Sequence, residues 1–452
     1  MNVSFFRELI EQIVDRGRNL TQLSLQGTER AGRIAELSRM LMSRRGESSG
    51  VALAQRILTT YERLDDEGKL AFFTVLAEEF APDADAVRTA AERYLEEPSA
   101  AGLDALSRAT EPPRQEFFRR LNLAPEGTSA MVAMRADLLR FLPENPEFRA
   151  VDDDLVHLFG SWFNRGFLVL RRIDWSSPAN ILEKIIQYEA VHQIQGWDDL
   201  KRRLDPRDRR CFAFFHPSLV DEPLIFVEVA LTHEIPGSIH ALLNPVEHDA
   251  GDEPTTAVFY SISNCQKGLA RISFGNFLIK QVVTDLAREM PSLKTFVTLS
   301  PVPGFMRWLD RERHADEPAV LNAEEVETLA RLDEPGWQED EEAVRALKPL
   351  VSELAAHYFL KEKRPNGQPL DPVARFHLGN GARLERINWL GDTSGRGLRE
   401  AAGLMVNYLY ELKDIEKNHE AYAEQGKVVA SGAVQKLVRS ERSKRALVAA
   451  DG

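Results

Sequence analysis

From its start to about Phe141, this 452-residue chain carries its apolar residues at helical spacing, with almost no strand signal. Phe5, Leu9, Ile10, Ile13 and Val14 form one stripe, and Leu70, Phe73, Leu76, Ala77 and Phe80 another, as a period of 3.6 residues requires. Asp83 stands as a cap before a restarted helix, and Glu111-Pro112-Pro113 breaks the chain before the next one. Such a segment is expected to fold as a bundle of antiparallel helices. A helix through Val156 to Phe163 then leads to Phe167-Leu168-Val169-Leu170-Arg171-Arg172-Ile173, the first convincing β run, which puts the boundary near Asn164 to Gly166.

The expectation is therefore an α+β chain: an all-α bundle over 1–164, followed by a mixed α/β domain over 165–452. Strands are expected at Arg210 to Phe215, Leu224 to Thr232, Ala257 to Ser263 and Thr295 to Leu299, with a helix from Asn276 to Met290 and a return to helix over Glu324 to Leu360. Pro245 to Pro254 reads as an acidic surface loop.

A hydrophobic content of 43% over this length can bury a large core. No apolar run approaches the roughly 18 residues of a membrane span, and the start, Met1 to Glu8, is amphipathic rather than signal-like. A cytoplasmic protein without membrane contact is expected. Cys211 and Cys265 lack metal-ligand or CxxC spacing and read as reduced packing residues. A net charge of −13 argues against nonspecific nucleic-acid binding, which depends on clustered cations. It leaves room for an anionic small molecule held by a local cradle of backbone N–H groups.

Three constellations could carry chemistry. The strand Val258 to Ser263, which includes Ser261, runs through a loop with Gly268 and Arg271 to Gly275, which opens a helix at Asn276. A glycine-containing loop at a helix N-terminus suits a pyrophosphate, although such glycines also serve simply to relieve backbone strain. Thr298-Leu299-Ser300-Pro301-Val302-Pro303-Gly304-Phe305 places a serine before a proline, which favours extended backbone and can project the hydroxyl from a strand end. Alternatively, Ser300 caps a helix beginning near Pro303. Arg375-Phe376-His377-Leu378-Gly379-Asn380-Gly381 sets one histidine among apolar neighbours before a glycine-bracketed turn. That histidine is either a catalyst or a satisfied core residue. Asn380, Asn388 and Asp392 read as turn or supporting residues.

With Gly403-Leu404-Met405-Val406-Asn407-Tyr408-Leu409-Tyr410, these motifs make the chain from about residue 150 onward resemble the malonyl-CoA decarboxylases. The resemblance implies a catalytic domain of the GNAT N-acetyltransferase type, in which a splayed strand and the following loop and helix hold acyl-CoA. It implies Ser300 as proton acceptor and His377 as proton donor. Ala270, Arg271, Ile272, Ser273, Phe274, Gly275 and Asn276, with Ser261 and Tyr410, become the substrate-binding residues. Tyr410 also reads as an ordinary packed aromatic. Some family members have a glutamate where this chain has Ser273, so that position receives no acid–base role. The implied reaction converts malonyl-CoA to acetyl-CoA and CO₂ through a thioester enolate. No metal or other cofactor is expected, because the thioester is the electron sink. The implied assembly is a homotetramer, a dimer of dimers joined through the helical domain, and the implied context is fatty acid metabolism. Two rival expectations stand: an acyl-CoA-dependent N-acyltransferase on the same fold, and a noncatalytic CoA-binding protein.

Overall fold

The computed structural model describes residues 27–43, 46–244, 253–272 and 278–438. The stripe from Phe5 to Val14 lies outside these residues. The chain forms two compact units. Among the described residues, one comprises those up to 169 together with 215–223 and 266–272, and the other comprises the rest.

The first unit is helical. Its helices run Gly27–Met42, Glu47–Glu62, Asp66–Glu78, Ala84–Glu96, Ala100–Thr110, Pro113–Leu121, Gly127–Phe141 and Arg149–Trp162. Their starts follow local chemistry: the side chains of Asp65, Asp83 and Ser99 each accept from backbone N–H groups of the first turn, satisfying donors that the helix leaves unpaired. Pro113 stands at the first position of its helix, where no N–H is needed. Phe72, Phe73, Phe117, Phe118 and Phe148 are fully buried and meet with their rings tilted to one another. Each contributes roughly 1.5–3 kcal/mol by burial. Phe73, Leu76 and Phe80 of the sequence stripe belong to this core.

The second unit is built on an eight-stranded sheet with strands β1 (Val169–Ile173), β2 (Arg209–Phe215), β3 (Pro223–Thr232), β4 (Thr256–Asn264), β5 (Thr295–Thr298), β6 (Ser300–Pro301), β7 (Arg383–Asn388) and β8 (Met405–Leu409). The order is β1-β2-β3-β4-β5-β8-β6, with β7 also paired to β8. The five strands read from sequence, the first β run included, lie within a residue or two of their expected positions, and the short β6 follows the last of them. β7 and β8 were not foreseen, and the expected helix over 324–360 is divided by a left-handed Gly336 and short 3₁₀ turns before Glu341–Leu360. The observed class is the expected one, a helical N-terminal region followed by a mixed α/β domain.

One feature of the sheet sets the site. β3 and β4 pair antiparallel through Ile225↔Asn264, whereas β4 and β5 pair in parallel only over Thr256↔Thr295 to Phe259↔Thr298. The last rung is Leu299 N–H to Phe259 C=O at 3.0 Å. β4 then continues to Asn264 beside β3, while the other strand turns into β6 and pairs with β8 at Ser300↔Val406. The sheet opens at that point, and Ser300 lies at the opening.

Candidate active site

Ser300 owes its position to strand alternation. Val297 and Leu299 enter an apolar cluster with Ile239 and Met405 on one face, so Thr298 and Ser300 point to the other. The Ser300 hydroxyl donates to Thr298 Oγ1 at 2.9 Å and lies 3.1 Å from His377 Nε2. The following helix begins at Phe305 with Gly304 at its N-cap and no side-chain cap bond. Ser300 therefore does not cap that helix.

His377 occupies the last turn of the helix Pro372–Gly379, which starts where Asp371 accepts from Ala374 N–H at 2.8 Å. The helix cannot continue because Gly381 has φ +81°, and a Cβ there would lie 2.2 Å from the Ile415 carbonyl oxygen. Only glycine tolerates both conditions. The Asn380 side chain donates to Phe376 C=O at 2.7 Å and closes the turn. The imidazole stacks on Tyr408, with ring centroids 4.6 Å apart and planes 24° from parallel, and its Nδ1 is 2.8 Å from the Tyr410 hydroxyl. Phe259 meets Tyr410 edge-on.

Three polar side chains thus form one buried row: Ser300 is 5% exposed, His377 3% and Tyr410 1%. Burial lowers the His377 pKa to about 3. The helix C-terminus favours a cation, but by at most about 2 kcal/mol, too little to offset a shift of several pKa units. His377 is neutral near pH 7, with one N–H and one lone pair. Burial also raises the Tyr410 phenol, so it remains protonated.

The row is held from behind by residues that, apart from Asn388, sequence reading had not assigned. Asn407, fully buried, donates to the carbonyls of Thr298 at 2.8 Å and Pro236 at 3.2 Å. Its oxygen accepts from Arg386 Nε at 3.0 Å and Asn388 Nδ2 at 2.8 Å. Every hydrogen-bonding position of that amide is filled. Tyr408 N–H donates to Thr298 Oγ1 at 3.1 Å. The available signal was the Tyr408, Tyr410 spacing of two with Leu409 between and Asn407 just before, which marks a strand that sends both phenols to one face.

The other expected site residues are placed differently. The Ser261 hydroxyl is 1% exposed and lies 2.7 and 2.8 Å from the two Glu189 carboxylate oxygens. Glu189 also accepts from the Val191 and His192 N–H groups, so Ser261 fastens a loop to β4. Ala270, Arg271 and Ile272 belong to the helical unit. Ser273, Phe274, Gly275 and Asn276 lie outside the described residues. Lys280 pairs with Glu416 at 2.6 Å. Cys211 and Cys265 are both buried packing residues, and Cys265 Sγ lies 3.8 Å from the Ser263 carbonyl.

Two family models match the chain: the malonyl-CoA decarboxylase N-terminal domain over residues 80–163 and the C-terminal domain over 166–448. A mitochondrial malonyl-CoA decarboxylase of Anser anser anser is 38% identical over 353 residues, covering 72% of this chain and 69% of the relative. The solved malonyl-CoA decarboxylase of Rhodopseudomonas palustris is 58% identical with a TM-score of 0.85, covering 90% of this chain and 99% of that one. That of Agrobacterium vitis is 55% identical with a TM-score of 0.86, covering 90% and 100%.

Proposed function

This chain belongs to the malonyl-CoA decarboxylase family, and we propose that it converts malonyl-CoA to acetyl-CoA and CO₂ at the buried row Ser300, His377 and Tyr410. The observation that carries the reading is the continuity of that row at the opening of the sheet.

Breaking the C–C bond to the carboxylate leaves its electron pair on C2, delocalised onto the thioester oxygen. The protein must supply a donor to that oxygen and a proton to C2. A single direction of donation satisfies all the contacts: Tyr410 O–H to His377 Nδ1, Nε2–H to Ser300 Oγ, and Ser300 O–H to Thr298 Oγ1. When substrate enters, Ser300 and Nε2–H turn to the malonyl group. As C2 takes the Nε2 proton, Nδ1 takes the Tyr410 proton, and the imidazole remains neutral throughout. Tyr410 then recovers its proton from solvent. This relay avoids a charged imidazole, which burial disfavours, and passes the charge to Tyr410; burial keeps that phenol protonated at rest, and only the far more basic C2 carbanion draws its proton away. Tyr410 acts as the proton reserve.

The stretch 270–276 is read as the element that binds the CoA portion, with Arg271 directed to a phosphate; its guanidinium is 71% exposed. The homotetramer through the helical unit is supported by the helices Ala84–Glu96 and Ala100–Thr110, none of whose residues is buried, and which expose Leu95 and Leu103. Exposed apolar surface of this kind favours assembly. A cytoplasmic location is supported by two cysteines that are not joined in a disulfide. Among the described residues no helix is long and apolar enough to cross a membrane. Consumption of malonyl-CoA would place the enzyme in fatty acid metabolism.

The test is mass balance with malonyl-CoA as sole substrate. Equal amounts of acetyl-CoA and CO₂ are expected without any amine acceptor. An amine requirement would replace this reading with N-acyl transfer.

A further inference from the structure

We infer that Arg135, in the helix Gly127–Phe141, is a positioning residue for acyl-CoA: it holds the 270–271 peptide in the orientation that presents Arg271 to the ligand. The inference rests on the reading that Ala270 to Ile272 belong to the element that binds the CoA portion.

Arg135 and the loop belong to the same compact unit. Its side chain is fully buried; Nε contacts Asp152 Oδ1 at 2.7 Å, and Nη1 donates to the carbonyls of Gly268 at 2.7 Å and Ala270 at 2.9 Å. A buried guanidinium is a poor stabilising device, since apolar residues of similar size serve a core as well. Its particular capacity is to fix several acceptors in one plane. Here it fixes two backbone carbonyls of one loop. The loop is also pressed against the same helix, since a Cβ on Gly268 would stand 1.8 Å from the Val132 carbonyl oxygen.

The consequence falls on Arg271. Ala270 has φ −54° and ψ 135°, Arg271 has φ +67°, and Ile272 N–H donates to Leu269 C=O at 3.0 Å. These values describe a type II turn with arginine at the position that ordinarily takes glycine. A type I turn would relieve Arg271 of its left-handed backbone by flipping the 270–271 peptide. Arg135 opposes that flip, because it holds the Ala270 oxygen inward. Across a planar trans peptide the Arg271 N–H then points away from Arg135. The exposed guanidinium is 3.9 Å from the second Asp152 oxygen. One residue thereby offers a backbone donor and a cation to an anionic group, a combination suited to phosphate.

The experiment uses full-length Arg135→Lys, Gly268→Ala and Arg271→Ala, each assayed with malonyl-CoA, with free CoA as inhibitor, and with malonyl-pantetheine, which lacks the nucleotide. Lysine cannot span both carbonyls and Asp152, and the added methyl at Gly268 lifts the loop without touching Arg135. Both variants should raise KM for malonyl-CoA and Ki for CoA by about tenfold, the scale of one lost hydrogen bond to a charged group. Turnover number and malonyl-pantetheine kinetics should stay unchanged. If Arg135→Lys fails to fold, Gly268→Ala decides the matter. An equal loss with malonyl-pantetheine would mean general damage and would overturn the inference. Unchanged KM in Arg135→Lys, or in Gly268→Ala where that variant decides, beside a raised KM in Arg271→Ala overturns the inference alone. Unchanged KM and Ki in Arg271→Ala overturn the loop reading and the inference with it.

Discussion

The neutrality of His377 governs both its chemistry and its cost. Because burial depresses its pKa to about 3, the unfolded chain binds a proton there at pH values where the folded chain does not. Stability from this group is therefore complete above about pH 6.5 and falls as pH drops from 6.5 toward 3. A folded His377→Asn variant should lose less stability than wild type across that window, which paired denaturant titrations at pH 7 and pH 4.5 would reveal. An identical pH dependence in the two proteins would mean that the imidazole is not held neutral. Ser300→Ala should lower kcat by about ten- to a thousandfold with little change in KM, since a hydroxyl that acts in the transition state adds little to ground-state binding. A raised KM with intact kcat would make Ser300 a binding group only.

At the scale of elements, the site is the meeting of the β5–β6 strand end, the C-terminal turn of Pro372–Gly379, and β8. Gly381 sets where that helix stops, and Gly381→Val would drive a side chain into the Ile415 backbone. The variant should misplace His377 and lose at least about tenfold in kcat, besides roughly 1–3 kcal/mol of stability from a strained φ. Wild-type kcat in that variant would show that the turn does not position the ring. The helical unit was legible because its residues carry periodic burial, as Phe73 and Leu76 do on one helix, and β2, β3 and β4 because they are near-continuous buried apolar runs. Ser300 and His377 stood out through motif resemblance rather than periodicity. β7 escaped notice because Arg383-Leu384-Glu385-Arg386 is charged and only partly buried, and so lacks the apolar signature of a strand. Asn407 escaped for a related reason: a buried amide has meaning only through partners from β5, β7 and a distant loop, none near it in sequence. The attachment of residues 266–272 to the helical unit was likewise invisible, because it depends on Arg135, more than a hundred residues earlier.

For the whole molecule, the exposed leucines of Ala84–Glu96 and Ala100–Thr110 locate the expected assembly surface. Leu95→Asp with Leu103→Asp should convert a tetramer to a smaller species by light scattering, with the circular dichroism spectrum preserved. An unchanged mass would move the interface elsewhere. The central claim is that this protein decarboxylates malonyl-CoA through His377, and CO₂ release from malonyl-CoA by wild type and His377→Asn, both shown to be folded, tests it most directly. Wild type should turn over without an acceptor, and the variant should be slower by at least about a hundredfold, the usual cost of losing a general acid. Equal rates of CO₂ release from the two proteins would contradict the account.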